Sequence, residues 1–170
     1  MDSVARIMKQ WGRERPDLDV SALEVIGRVS RLASVVQVKL DAVFAEFGLQ
    51  GWEFDVLSSL RRAGAPYELT PGDLDRALII SSGTTTHRLK VLEERGFVSR
   101  RRDEEDGRVF WVCLTAAGRD VQAAAHDAHA ANELEILSGL APEELEALRR
   151  GLTAFGELVD DVEGFDDEGR

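Results

Sequence analysis

The chain reads as a mainly α-helical protein carrying one small β-hairpin, and three observations predict this. Apolar residues recur at helical spacing over long stretches, most clearly Val25, Ile26, Val29, Leu32, Val36, Leu40, Val43, Phe44 and Phe47. Strand-type alternation is confined to one place, between Phe97 and Leu114. Between the periodic stretches stand helix punctuation marks: Ser or Thr before a start, Pro at a first turn, Gly at an end.

Taken in order, residues 2–12 form a short helix with Val4, Ile7, Met8 and Trp11 on one face, broken by Pro16 and Asp17. Ser21 caps a long helix, with Glu24 three residues on as capping-box partner, and Gly48 ends it. Its apolar stripe is longer than a small head can cover, so part of it is expected to meet another chain. Residues 52–63 form the next helix. Thr70 caps another, with Pro71 at the first helical position and Asp73 three residues after the cap. Ser81 or Ser82 then caps a helix whose inner stripe is Thr85, Leu89 and Leu92, and Arg95 followed by Gly96 is its stop signal. Phe97, Val98, Arg100 and Arg102 begin a strand, and residues 103–107 are turn chemistry. In the return strand Val109, Trp111 and Cys113 alternate with Phe110, Val112 and Leu114. A helix followed at once by a basic hairpin has the form of a recognition helix with a wing. Thr115 caps an alanine-rich helix running to about Leu140, and Ala141-Pro142-Glu143-Glu144 opens a last helix. That helix carries Leu145, Leu148, Leu152, Phe155, Leu158, Val159 and Val162 on one side, and the polar tail 164–170 is expected to be disordered.

The string from Leu92 to Gly118 resembles the MarR family of winged-helix transcription regulators. The family pattern L-E-x-x-G, D-x-x-D-x-R, L-T-x-x-G is met by Leu92-Glu93 with Gly96, by Asp103, Asp106 and Arg108, and by Leu114-Thr115 with Gly118. Gly107 departs from the pattern, since relatives often carry a second basic residue there. The resemblance implies a winged helix-turn-helix head, 51–114, on an α-helical dimerisation base formed by 20–48 and 115–163, with 1–19 as an extra N-terminal helix and linker. It implies a homodimer on a pseudo-palindromic double-stranded DNA operator, most often as a repressor.

Composition agrees. At 170 residues and 44% hydrophobic, the chain has enough apolar material for one domain with a core and a dimer surface. It shows no membrane-spanning apolar run and no secretory signal. One cysteine, Cys113, excludes a disulfide framework and fits a reducing cytoplasm, where a nucleoid-associated regulator works. No Cys/His spacing suggests a metal, and no cofactor is implied. The net charge of −11 is at first sight ill suited to DNA, but its distribution answers the objection. Residues 81–102 hold six cations against two acids, whereas 141–170 hold three cations against ten acids. Strong salt dependence follows.

Helical geometry assigns faces. At about 100° per residue, Thr85 and Leu92 flank Leu89 on the inside of the recognition helix, and Gly83, Thr84, His87 and Lys90 point away from it. With Ser82 and Thr86 beside them, these are the candidate base-reading residues. Arg108 at the hairpin tip is the candidate minor-groove probe, with Asp106 placed to hold its guanidinium. Arg100, Arg101 and Arg102 suit phosphates.

In the helix 52–63, Phe54, Leu57 and Leu60 face inward, while Asp55 and Arg62 share the opposite face, seven residues apart. Arg88 flanks the recognition helix, neither inward nor toward DNA. A narrower resemblance appears here, to a MarR subgroup that includes PecS-type and urate-responsive regulators. Its motifs are present as Trp11 followed by Arg13, Pro16, Asp17, Leu18 and Asp19, and as Trp52–Leu57 with Leu60–Gly64. The subgroup's ligand residues map onto Trp11, Asp55, Arg62 and Arg88, with Arg61 as an adjacent alternative to Arg62. An indole stacks on a flat ligand, two guanidiniums donate to its oxygens, and a carboxylate accepts from ring N–H groups. Urate fits, as does a small carboxylate or aromatic acid; a structural salt-bridge network anchored by Trp11 is the plain alternative.

Cys113 is expected in the core, away from the N-terminal position of redox-sensing relatives. His126 and His129 share a helix face, as polar surface or as a pH-dependent element of the dimer base. A protein-contact module without an operator is a competing function that the basic hairpin argues against. An enzyme is another, but nucleophile elbow, metal spacing and phosphate loop are all missing from the sequence.

Overall fold

A computed structural model describes residues 2–78 and 82–160, apart from the side chains of Ser82 and Asp160. Ser81, one of the two expected caps, and the tail 164–170 lie outside the described residues. The helices are α1 (Ser3–Glu14), α2 (Leu23–Glu46), α3 (Gly51–Arg62), α4 (Pro71–Leu78), α5 (Ser82–Glu94), α6 (Ala116–Leu137) and α7 (Pro142–Asp160). The strands are β1 (Glu68–Leu69), β2 (Val98–Arg102) and β3 (Phe110–Leu114). Residues 1–129 form one compact unit and 130–170 a second. Among the described residues no helix is long and apolar enough to cross a membrane.

Helix ends follow local chemistry. Thr70 and Asp73 cap α4 reciprocally, the Asp73 N–H donating to Thr70 Oγ1 at 3.2 Å and the Thr70 N–H to Asp73 Oδ2 at 3.0 Å. Both α2 and α5 end in the same glycine motif. Leu49 N–H reaches Phe44 O and Gly48 N–H reaches Ala45 O, as Phe97 N–H reaches Leu92 O and Gly96 N–H reaches Glu93 O. Gly48 and Gly96 take φ of 66° and 74°, the left-handed conformation this cap requires.

The start of α2 departs from expectation. Ser21 is no cap and Glu24 closes no box: Ala22 stands at the cap position in helical conformation, with no side-chain bond. Asp19, two residues upstream, takes the Ser21 N–H at 2.9 Å, and the chain winds into α2 through a tight turn from Leu23 to Val20 and from Glu24 to Ser21. Ser21 is already turning and cannot aim its hydroxyl at the first helical N–H groups. Glu24 pairs with Arg28 instead.

The sheet has three strands in the order β1-β3-β2, all antiparallel, where sequence alone suggested a two-stranded hairpin. Leu69 pairs with Val112 and Glu68 with Cys113. Alternation turns Val98, Val112 and Leu114 into the core, where they meet Leu89 and Leu92 of α5, Leu57 and Leu60 of α3 and Leu74 of α4. Cys113 therefore points the other way, which corrects its core assignment. Half-buried on the outer face, its thiol meets Glu68 Oε2 at 3.3 Å, while the other Glu68 oxygen takes Arg101 Nη2 at 2.8 Å. Burial and the neighbouring carboxylate push the thiol pKa up, keeping it protonated and poorly reactive. Val109 precedes β3 rather than opening it, its N–H closing the turn onto Asp106 O.

The wing is joined to α6 at one crowded point. Thr115 Oγ1 lies 2.8 Å from Gly96 O and 3.0 Å from Phe97 O, and it accepts the Gly118 N–H at 3.0 Å. A Cβ on Gly118 would lie 2.1 Å from Phe97 O, so α6 approaches this closely only with glycine there.

Candidate nucleic-acid interface and anion crevice

The recognition helix, α5, presents the faces its periodicity implies. Thr85, Leu89 and Leu92 are buried, and Gly83, Thr84, Thr86, His87 and Lys90 are exposed. The Lys90 ammonium lies 3.8 Å from Glu94, an open surface pair that leaves it accessible to an acceptor. The Ser82 side chain lies outside the description.

In the wing, Asp103 is the organiser. Its Oδ1 accepts the N–H groups of Glu105 and Asp106, each at 2.9 Å, and its Oδ2 accepts the Trp111 indole N–H at 2.8 Å. The Trp111 bond and those backbone donors hold its carboxyl below the usual range. Asp106 supports Arg108 by a route other than the expected one: its Oδ1 takes the Arg108 backbone N–H at 2.9 Å, shaping the turn while the guanidinium stays exposed. Arg100 pairs with Glu93 at 3.2 Å, and Arg102 lies over the Phe110 ring at 5.3 Å; both keep to the side of the sheet that carries the core farther in. Arg101, on the opposite face, pairs with Glu68 at 2.8 Å.

A second feature lies on the outer face of α3. A crevice of about 390 Å³ is lined by Phe54, Asp55, Ser58, Ser59 and Arg62 of α3, by Ala77 and Leu78 of α4, and by His126 and His129 of α6. Phe44 stacks on Phe54 at 4.3 Å, and the two imidazoles extend that aromatic wall, His129 at 5.3 Å and His126 at 6.0 Å from the Phe54 ring. His129 is half-buried against this wall, and His126 stays exposed at its edge. Arg62 Nη2 donates to Ser59 Oγ at 3.2 Å, which holds the guanidinium along the crevice. Arg61 is turned onto the Tyr67 ring at 4.8 Å, which leaves Arg62 as the crevice cation.

Asp55 is open to solvent on one side and crowded by protein on the others. Desolvation raises its pKa above the usual carboxylate value, against the pull of Arg88, Arg62 and His129. Among the described residues no ion pair within 4 Å joins Asp55 to either arginine, so the charges face one another across space. Arg88 lies over the Trp52 ring at 5.3 Å.

Asp55 and Arg62 thus line one crevice, with Arg88 in electrostatic reach. Trp11 is not among the lining residues. It stands half-exposed on α1, which packs on α2 through Val4 near Gly27 and through an Asp2–Arg28 pair at 2.8 Å. Trp52 is the indole beside these charges. In the sequence Trp52 stands within the motif at the start of α3, and its place three residues before Asp55 is the signal that could mark it. Among the described residues no group of three His, Cys, Asp or Glu side chains is placed to hold a metal ion.

Residues 47–109 match the model of the MarR family. The HTH-type transcriptional regulator PecS of Dickeya dadantii (strain 3937) is 41% identical over 146 residues, covering 86% of this chain and 88% of PecS. The solved structure of AbsC, a MarR family regulator from Streptomyces coelicolor, superposes with a TM-score of 0.71 at 21% identity, over 85% of this chain and 98% of AbsC. A cysteine-to-serine mutant of MarR from E. coli, solved in complex with operator DNA, superposes with a TM-score of 0.66 at 25% identity, over 81% of this chain and 99% of that one. With its winged head, the ordered wing motif and a relative of this identity along most of its length, the chain belongs to the MarR family of winged-helix transcriptional regulators.

Proposed function

We propose that the protein is a homodimeric repressor that binds a pseudo-palindromic operator and is released by a small, flat, anionic ligand such as urate. The observation that carries the reading is the position of Arg88. It belongs to the helix whose outer face is exposed for base reading, yet its charge acts on Asp55 of the crevice. An anion drawn to Arg62 and Arg88 bears directly on the reading helix. Two heads must match half-sites about 34 Å apart, so a small change in each spoils their joint fit. The ligand then favours the DNA-incompetent state, and DNA weakens the ligand by the same factor.

Dimerisation is supported by apolar side chains that the single chain leaves open. On α2 these include Val25, Ile26, Leu32, Val35 and Val38; on α7 they include Leu148, Leu152, Leu158 and Val159. The aromatic wall of Phe54, His126 and His129 favours a second ligand class, small aromatic acids, at the same crevice.

The test is a gel shift on a duplex that the wild-type protein selects from a random library, with urate, small carboxylates and aromatic acids added in turn. Wild type is expected to be released, with Asp55→Ala and Arg62→Ala requiring more ligand. If one compound releases all three at the same concentration, the crevice is not the sensor.

A further inference from the structure

Two cations of α5 and the turn that ends it meet two adjacent residues on the first turn of α3. The Arg88 guanidinium lies over the Trp52 ring at 5.3 Å, and the indole N–H donates to Gln50 Oε1 at 2.6 Å, which fixes the plane of the ring. Arg95 Nη1 pairs with Glu53 Oε1 at 2.5 Å, and its Nη2 donates to Gly48 O at 2.8 Å. Glu53 is buried, 2% exposed, and its second oxygen takes the Gln50 N–H at 2.9 Å.

Seven residues are nearly two helical turns, so Arg88 and Arg95 fall within about 20° of each other, roughly 10 Å apart along the axis. Leu89 and Leu92 seat α5 on the core, and two contacts spaced along its flank resist its rotation better than one. The Arg95 joint is an ion pair with one buried member, Glu53, tied to the C-terminal cap of α2. The Arg88 joint is a half-buried stack, the weaker of the two. Base reading depends on the angle of α5, and these two contacts act on that angle from the flank opposite its exposed end.

We propose that Trp52 is a positioning residue for DNA reading that acts through Arg88, setting the angle of the recognition helix about the Arg95–Glu53 joint. The proposal rests on the DNA-binding reading and is independent of any ligand.

The experiment is a double-mutant cycle in the full-length protein, on a duplex selected from a random library by wild type. Trp52→Leu and Arg88→Gln are each expected to weaken binding about three- to tenfold, the range a cation–π contact spans. The double variant is expected to be no weaker than either single, and Trp52→Phe, which keeps a π face, to recover most of the loss. Trp52→Met carries the same cycle if Trp52→Leu does not fold. Losses that multiply in the double variant overturn the proposal, as does Trp52→Phe binding no better than Trp52→Leu. A DNA-free readout separates this from failure of the DNA reading. In a Trp11→Phe, Trp111→Phe background, Arg88→Gln should change the emission of Trp52, and unchanged emission means the stack does not exist in solution. If wild type selects no duplex while the emission changes, the stack stands but its role in DNA reading falls with that reading.

Discussion

Arg88 and Trp52 meet with guanidinium over indole at 5.3 Å, so the helix that faces DNA is held by the helix that walls the crevice. Any shift of α3 at its first turn therefore bears on α5 through this contact.

Asp55→Asn should raise the melting temperature of the ligand-free protein at neutral pH. The Asp55 pKa is raised in the fold by desolvation. A carboxyl with a raised folded pKa favours the fold below its unfolded value, about 3.9, and loses that contribution as pH rises through the folded value. At pH 7 the ionised Asp55 is therefore a burden that asparagine removes, and the gain should vanish in acid. Thermal melts of both proteins from pH 3 to 8 check this; a reversed difference at neutral pH would place Asp55 in a stabilising ion pair, and one that does not vary with pH would show that its pKa is not raised.

Arg108→Ala should weaken operator binding by roughly 1–3 kcal/mol if the exposed wing-tip guanidinium enters the minor groove. Lys90→Ala should mainly broaden the set of sequences bound, as loss of a base contact does. Titrations at several salt concentrations separate the two. Wild-type affinity for Arg108→Ala at every salt would remove the wing from the interface.

Leu152→Glu with Phe155→Glu should abolish dimerisation and, with it, high-affinity DNA binding. Leu152 is half-exposed in the single chain and Phe155 lies one turn along the same side of α7. Sedimentation equilibrium gives the answer, and a folded double variant that remains dimeric would move the dimer surface off this face.

Arg95→Met should destabilise the fold by about 1.5–3 kcal/mol, because it leaves the buried Glu53 carboxylate with the Gln50 N–H but without its charged partner. Arg95→Met with Glu53→Met should recover much of that loss. Urea unfolding of the single and double variants measures both; a single variant within about 1 kcal/mol of wild type, the worth of an exposed pair, would show that the joint is wet in solution.

What the sequence made legible was what is local. The inner triad Thr85, Leu89 and Leu92 follows from a 3.6-residue period, and Gly96 follows from the need for positive φ at a helix end. Thr70 with Asp73, and Thr115 before α6, were readable as caps because donor and acceptor lie within one turn. Ser21 is no cap because Asp19 draws its N–H into a tight turn, and the Leu23 and Glu24 N–H groups it would have capped go to Val20 O and Ser21 O. Strand β1 was invisible, since two residues carry no alternation and Glu68 finds its partner Cys113 only in the folded sheet. In the candidate site, Asp55 and Arg62 were legible from a seven-residue spacing on one helix. Trp52 with Arg88 and Glu53 with Arg95 were not, because each pair joins two helices at a sequence separation that no periodicity spans. His126 and His129 were seen as a pair, but the aromatic wall they complete is built by Phe44 and Phe54 from distant helices.

The crowded point where Gly96, Thr115 and Gly118 meet has a consequence for how such proteins diversify. Two of the three motif segments that mark the lineage supply this single fastening between wing and α6, and their spacing is dictated by a carbonyl with no room beside it. None of these three residues lines the crevice at Asp55 and Arg62. The fastening serves as a chassis: residues 55, 58, 62 and 126 of the crevice can be exchanged while the wing stays bolted in place.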